Sequence, residues 1–514
     1  MSSDFDNSEY AASTAAVKTD TLADSVLILL ALKFVQLLVG FARAVLFGRW
    51  LTAKQLGVWD MAFSFLVLAA PLSVLAIPGV FGRYVEHYRQ RGQLREFLRR
   101  MLLACGGLAI VAVVVILWTR RWLSVVVFGS DGQSEMIAWA AGSLMVVIAY
   151  NLLVELFIAL RNVRFAAMMQ FVNSVAFAAL SIGLLLGWQR SAESVLISYG
   201  GSCLIAAIPA GFVLRRVWRS APTAGQPLPQ RVLWARVAPF AAWVLLGSLL
   251  INLFGVIDRY MILHFSKMLP DEALDAVGNY YAARVAPLLL VSVATMLATI
   301  IIPHLSHDWE AGRRDPAAAR LRLFTKLFGF ALFATATAVL LFSPLLFNVG
   351  FHGKYPQGQA VLPWTLICCT WFGLSLILQT YLLCTEKAKL VGVSLAFGLA
   401  LNIPLNLLLL PRLGLLGAVL ASTASNALLL WSVCRFTHRF GFRFDAGLKV
   451  VLVLPILLCC GPWPAILAMV IVVADALWGN RLLSLDEKRL LSQGLADYGR
   501  RFGLKPWSAA PRKA

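Results

Sequence analysis

The sequence predicts an all-α polytopic membrane protein of about fourteen spans, built as two blocks of six helices followed by a short apolar hairpin. Three observations predict it. Of its 514 residues, 60% are hydrophobic and only 14% charged, with a mean hydropathy of +0.79. A soluble domain has roughly 45–50% apolar and 25% charged residues. Apolar stretches of about 20 residues, the length that crosses a bilayer as a helix, follow one another along most of the chain. Arg and Lys concentrate in alternate loops, as the positive-inside bias requires. That bias, rather than nucleic-acid binding, accounts for the net charge of +20.

Taken in order, residues 1–21 are acidic and lack the basic start and short apolar core of a signal peptide. They read as a disordered cytoplasmic tail. Six spans follow near 22–48, 56–79, 98–118, 136–160, 163–187 and 192–214. This N-lobe (22–214) leads through a basic cytoplasmic linker (215–236) to a C-lobe (237–436). Its spans lie near 237–264, 279–303, 324–348, 358–384, 388–411 and 413–436. A last apolar region (437–478) is broken by Gly461-Pro462-Trp463-Pro464 and reads as a tight hairpin of two short spans, or as one kinked span. The tail 479–514 reads as a polar amphipathic cytoplasmic helix.

The loop charges agree with this order. Arg83 to Arg100, Arg161 and Arg164, Arg215 to Arg236, Arg313 to Lys326, Lys387 and Lys389, and Arg435 to Lys449 fall on one side. Opposite loops carry isolated cations such as Arg49, Lys54, Arg190, Lys267 and Lys354. Both termini are therefore expected in the cytoplasm of a cell bounded by this membrane. The loops are short, so no loop houses a soluble catalytic domain. Leu56-Gly57-Val58-Trp59 opens the second span and Val277-Gly278-Asn279-Tyr280 the eighth, a faint parallel repeat. Such pseudo-symmetric halves are a transporter architecture with the substrate site between them.

Charges inside the spans point to that site. Ser25, Lys33, Gln36, Gly40 and Arg43 fall within roughly 80° on a helical wheel of the first span. A cation at mid-bilayer costs about 2.5–3.5 kcal/mol and normally faces a bundle interior or a wet cavity. The seventh span groups Ser248, Asn252 and Arg259, and the eighth groups Tyr280, Tyr281, Arg284, Ser292, Thr295 and Thr299. Two readings stand together. Lys33, Arg43, Arg259 and Arg284 form a cationic belt lining a cavity, or they sit in structural ion pairs such as Arg43 with Asp60 or Arg259 with Asp258. Arg43 also lies near enough to a span end to snorkel. A cationic interior favours an anionic ligand, and phosphate is the natural partner of Arg and Lys.

Weaker signals read as helix–helix contacts: Gln170, Asn173, Ser174 and Ser181 in span five, Asn402 and Asn406 in span eleven, and Ser422 to Asn426 in span twelve. Glu155 is expected to meet Arg161 or Arg164. Breaks at Pro71, Pro78, Pro287, Pro344, Pro363 and Pro404 are hinges or tolerated kinks. The eight cysteines form no CxxC pair and read as packing. His304, His307 and Asp308 lack a third strong ligand for a metal. There is no GxxxxGK[ST] loop, no HExxH and no nucleophile–base set, so neither a metal nor a cofactor is expected and the chain is not an enzyme.

Particular segments resemble a known family. Gly48-Arg49-Trp50-Leu51 with Leu56-Gly57-Val58-Trp59 is similar to the junction after the first helix of polysaccharide-unit flippases. Pro78-Gly79 with Arg83-Tyr84-Val85, Val256-Ile257-Asp258-Arg259-Tyr260 with Val277-Gly278-Asn279-Tyr280-Tyr281, and Asn402 to Leu420 with Gly414-Leu415-Leu416-Gly417-Ala418 resemble three more of their segments. The family is the polysaccharide branch of the multidrug/oligosaccharidyl-lipid/polysaccharide (MOP) flippase superfamily. The resemblance covers about residues 22–440. Pro78-Gly79-Val80-Phe81 and the short last hairpin depart from it.

The resemblance implies a MATE-like fold with two six-helix lobes around a cavity lined mainly by spans one, two, seven and eight. It implies alternating access for a polyprenyl-pyrophosphate-linked oligosaccharide in the plasma (inner) membrane. The pyrophosphate would meet Lys33, Arg43, Arg259 and Arg284, with Gln36, Asp60, Asn252, Asp258, Tyr281 and Thr295 as polar lining. Expected partners are the lipid-linked substrate, the bilayer, and polysaccharide polymerase and glycosyltransferases, with no nucleic acid and a monomeric chain. In the same fold, an ion-coupled drug exporter or a peptidoglycan-precursor flippase is the alternative. A membrane glycosyltransferase or polymerase would need paired outer acids, and only Asp271, Glu272 and Asp275 cluster there.

Overall fold

Hydrophobic segments that cannot leave backbone groups unpaired in lipid must close their hydrogen bonds internally, and the chain does so as helices. A computed structural model describes residues 22–220, 229–479, 481–485 and 487–489. The acidic tail, part of the linker and the tail beyond Arg489 lie outside the described residues. The helices are α1 (Leu22–Trp50), α2 (Ala53–Ser73), α3 (Phe81–Gln90), α4 (Leu94–Trp118), α5 (Arg120–Phe128), α6 (Ser134–Ala159), α7 (Val163–Gly187) and α8 (Ala192–Ser220). There follow α9 (Gln230–Phe265), α10 (Pro270–Arg284), α11 (Pro287–Glu310), α12 (Arg314–Leu341), α13 (Pro356–Cys384), α14 (Ala388–Leu413) and α15 (Leu415–Arg439). The last two are α16 (Ala446–Val453) and α17 (Pro462–Trp478).

Among the described residues twelve helices are long and apolar enough to cross a membrane: α1, α2, α4, α6 to α9 and α11 to α15. In order along the chain they correspond to the twelve long spans expected. The hairpin is present as two shorter apolar segments, Ala446–Cys460 and Pro462–Ala476. Gly461 turns between them with φ 98°, a backbone that L side chains resist.

Three segments depart from expectation. The basic loop after span two contains α3, whose Phe81, Tyr84, Val85 and Tyr88 are buried at helical spacing. Its entry is a turn in which Leu75 and Ala76 both hold φ 50°, a left-handed conformation unfavourable for non-glycine residues. The loop after span three contains α5. Span eight begins at Pro287, later than expected, because the chain turns at Val285 and Ala286 and Pro287 supplies no N–H to continue the preceding helix. Arg284 therefore sits on the last turn of α10, before the long apolar helix that starts at Pro287. Of the predicted breaks, Pro71, Pro363 and Pro404 sit inside continuous helices. Pro78, Pro287 and Pro344 sit where one helical segment gives way to the next.

The chain divides into two compact units. One comprises residues up to Arg43, Ala69–Trp118 and Ala138–Leu245. In it α7 packs along α8, with Asn173 Nδ2 3.2 Å from Cys203 Sγ. The other comprises Ala44–Leu68, Thr119–Ile137 and the chain from Leu246 on. There α14 and α15 form a hairpin through Gly414, whose φ of 56° a side chain would strain. In the same unit α2 and α10 approach at two glycines. A Cβ on Gly57 would sit on the Leu274 carbonyl oxygen, and one on Gly278 on that of Ala53. These are the glycines of the two segments that suggested an internal repeat. Lys54 and Asp271, 2.7 Å apart, tie the same crossing at its edge.

Candidate functional site

The predicted residues fall into two sets, one in each unit. The first set is Lys33, Gln36 and Arg43 on α1. Lys33 is exposed, and its ammonium donates to Gln170 Oε1 on α7. Gln36 Nε2 donates to the Gln170 carbonyl at 3.4 Å. Two turns further along, the Arg43 guanidinium lies 4.0 Å above the Phe177 ring, where a cation is attracted by the negative face of the π system. The polar stripe of α1 thus lies along α7, and Gln170, read from sequence as a helix contact, is the group that meets Lys33.

The second set is centred on α9. Asp258 and Arg259 are neighbours in sequence, so their side chains diverge by about 100° around the helix and cannot pair with each other. Arg259 turns to α2, where its Nε donates to Asp60 Oδ2 at 2.6 Å. Both groups are buried, at 8% and 1% exposure. Arg259 also donates to the Gly255 carbonyl at 3.2 Å. Asp258 turns the other way. Its Oδ2 accepts from the Tyr280 hydroxyl of α10 at 2.9 Å. Its Oδ1 accepts from Asn402 Nδ2 at 3.0 Å and Asn406 Nδ2 at 3.4 Å, both on α14. The Arg259–Asp258 pair read from sequence is therefore replaced by Arg259 with Asp60. Asn402 and Asn406 do join helices, and they do it by neutral hydrogen bonds to a carboxylate.

Arg284 differs from Arg259. It is half-buried on the last turn of α10, with its guanidinium 5.1 Å from the Tyr280 ring centroid. Asp60 and Asp258 act on it electrostatically, yet no carboxylate lies within ion-pair distance among the described residues. A cation is favoured at a helix C-terminus by the unpaired carbonyls there. Tyr281 beside it is half-buried. Asn252 Nδ2 donates to the Val67 carbonyl and to Ser248 Oγ, each at 3.3 Å, so it ties α9 to α2. On α11 Ser292, Thr295 and Thr299 are exposed along one face. Each donates to a carbonyl one turn back, at 2.8–2.9 Å, which leaves hydroxyl lone pairs turned outward as acceptors.

Sequence reasoning passed over one buried cation. Lys326 on α12, read as a loop charge, is 3% exposed. Its ammonium donates to Asp445, to Glu487 at 2.8 and 3.0 Å, and to the Leu482 carbonyl at 2.9 Å. Its partners lie more than a hundred residues away, so no local pattern marks it. Asp308 accepts from Arg320 and lies 3.0 Å from Arg313, which commits the carboxylate of the weighed His304–His307–Asp308 group to ion pairs.

Comparison with known proteins adds the lineage. The family model for polysaccharide biosynthesis proteins matches residues 22–309, and that for the lipid II flippase MurJ matches residues 275–485. No curated protein sequence matches the chain. Among solved structures, the lipid II flippase MurJ in an inward closed conformation is similar over 87% of this chain and 98% of its own, with TM-score 0.67 and 13% identity. An inward-facing multidrug resistance MATE family transporter of the MOP superfamily is similar over 81% and 99%, with TM-score 0.59 and 11% identity. A MOP superfamily transporter from Pyrococcus furiosus gives 84% and 95%, with TM-score 0.58 and 13% identity. At these identities the likeness is one of fold.

Proposed function

The chain belongs to the polysaccharide biosynthesis protein family, and from that premise we propose that it is a multi-pass flippase of the MOP superfamily that moves a polyprenyl-pyrophosphate-linked oligosaccharide unit. Transport proceeds by alternating access across the plasma membrane, for assembly of cell-surface polysaccharide. The sugar head crosses while the polyprenyl chain stays in the bilayer. Family and fold neighbours are transporters, so the reading as a glycosyltransferase or polymerase is set aside.

The observation that carries the proposal is Arg284. Its guanidinium has no ion-pair partner among the described residues and is half-buried at the end of α10, while Arg259 spends its charge on Asp60. A pyrophosphate offers that guanidinium the bidentate, charge-assisted contact it lacks. Lys33, in the other unit, gives its ammonium to a neutral amide and is a further candidate for the anion. Thr295 with Ser292 and Thr299 offers acceptors to sugar hydroxyls. The match of residues 275–485 to the MurJ family supports a second reading, in which the head group is that of a peptidoglycan precursor. Both readings require the same anion.

The test replaces Arg284 by Gln and by Lys, and Lys33 by Ala and by Glu, and follows lipid-linked sugar on each side of the membrane. Arg284→Gln is expected to trap the intermediate on the cytoplasmic side, with Arg284→Lys partly active. Lys33→Glu should be worse than Lys33→Ala. Normal transport by all four variants refutes the proposal. Normal transport of repeat units with loss of peptidoglycan precursor export selects the second reading.

A further inference from the structure

A second cluster of positive charge lies in the unit that contains α3, α4 and the first half of α9. Helix α3 buries Phe81, Tyr84, Val85 and Tyr88. These rings form a platform with neighbouring elements: Tyr88 stacks on Phe97 at 4.7 Å, and Tyr84 meets Phe240 of α9 edge-on at 5.8 Å. The Tyr84 hydroxyl donates to the Arg236 carbonyl at 3.0 Å. On this platform sit three exposed arginines, Arg83, Arg91 and Arg236. Arg83 lies 4.9 Å above Phe240 and 5.7 Å from the Tyr84 centroid. Arg236 Nη1 is 3.0 Å from His87 Nε2.

Among the described residues no carboxylate pairs with this cluster. Glu86, the acid of α3, is turned to Arg89 at 3.8 Å and Gln90 at 3.4 Å. Among the described residues none of Arg83, Arg91 and Arg236 has a carboxylate within ion-pair distance. Partial burial, then Arg91 and Arg236, hold the His87 imidazole below its usual pKa. A neutral imidazole accepting from a guanidinium is what an uncompensated positive field selects.

The position fits a bilayer surface. Helix α9 has 36 residues, about 54 Å at 1.5 Å per residue, against a hydrocarbon core of about 30 Å. Arg236, on its second turn, therefore lies at the membrane edge. Arg83 and Arg91 belong to the loops richest in cations, which the positive-inside bias puts on the cytoplasmic side. Leu72, Leu75 and Val232 are exposed nearby in sequence, at 53, 47 and 51%, and in a bilayer such side chains face acyl chains.

We infer that Arg83, Arg91 and Arg236 with His87 bind the phosphate of an anionic glycerophospholipid resident in the cytoplasmic leaflet. The lipid supplies the absent counter-charge and fixes α3 against the start of α9. The arginines are exposed at the membrane edge, which suits a leaflet lipid in standing supply better than a transported head group awaiting enclosure. The inference does not depend on what the protein carries.

Native mass spectrometry of the purified full chain, titrated with phosphatidylglycerol, phosphatidylcholine or undecaprenyl pyrophosphate, tests it. Phosphatidylglycerol should be retained in preference to phosphatidylcholine. Near a surface each arginine contributes roughly fivefold in affinity, so R83Q/R91Q/R236Q should weaken retention on the order of a hundredfold. R120Q/R121Q, which removes two exposed arginines elsewhere, should leave it unchanged. If the triple variant is not monodisperse, the single variants R91Q and R236Q read the fivefold steps. Equal retention of both phospholipids, an unchanged triple or single variant, or binding of the pyrophosphate lipid alone overturns the assignment.

Discussion

Asp60→Asn removes the carboxylate that neutralises Arg259 and leaves an amide of the same shape. The pair is short, 2.6 Å from Nε to Oδ2, and its side chains are only 9% and 2% exposed. At a charge separation of about 4 Å and an effective dielectric near 20, the attraction is about 4 kcal/mol. Removing one partner also leaves a guanidinium buried with the Gly255 carbonyl as its remaining acceptor. Breaking such a pair costs about 3–5 kcal/mol, whereas replacing both partners by apolar groups costs far less. Asp60→Asn should therefore lower unfolding free energy by about 3–5 kcal/mol. Asp60→Leu with Arg259→Met should recover most of that loss. The measurement is a double-mutant cycle on the purified protein in mixed micelles, unfolded by denaturant and followed by tryptophan fluorescence. A cost below about 1 kcal/mol for Asp60→Asn, or a double variant as unstable as the two singles summed, would show that the pair does not hold α2 to α9.

Three further outcomes follow from the packing. Gly278→Ala drives a methyl into the Ala53 carbonyl, a backbone group that cannot step aside, and should cost about 1–3 kcal/mol or more. Gly247→Ala, which meets nothing within 4 Å, should be neutral or gain up to about 1 kcal/mol, and equal thermal shifts for the two would contradict the close approach of α2 and α10. Lys326→Met removes the nearer of the two cations that Asp445 and Glu487 share, leaving Arg322 Nε at 4.0 and 3.5 Å, and should cost up to about 3–5 kcal/mol. The same variant should open residues 481–489 to limited proteolysis, an effect that Lys326→Met/Glu487→Met reduces. For His87 the folded state disfavours the charged form, because burial and then Arg91 and Arg236 lower its pKa. Stability should thus be constant above the ordinary histidine pKa of about 6.5 and fall as pH drops through that value toward the lower folded one. His87→Gln should flatten melting temperature against pH across that window, and saturating anionic phospholipid should reduce the slope by screening the arginines.

The spans were legible because hydropathy and the loop alternation of Arg and Lys are local properties, set by the cost of leaving backbone or charge in hydrocarbon. For the same reason Arg259 stood out as a cation within an apolar segment. Its partner did not, since the choice between Asp60 and Asp258 depends on which helix lies against each side of α9. Arg284 was recognised by type, while its place relative to the helix boundary was not legible. The stop at Pro287 makes it the end of one helix, where a continuous hydrophobic run suggested the interior of another. Lys326 shows the converse error: a loop-like basic stretch hides a lysine buried by segments from the far end of the sequence.

Composition, periodicity and charge alternation by themselves determined the all-helical membrane class, the twelve long spans and the presence of unusual cations within apolar segments. Only tertiary structure decided which cations are neutralised, because pairing between helices is a property of facing surfaces brought together from distant parts of the chain. It closed Arg259 onto Asp60, gave Asp258 three neutral donors, and left Arg284 against a tyrosine ring with no carboxylate at ion-pair distance among the described residues.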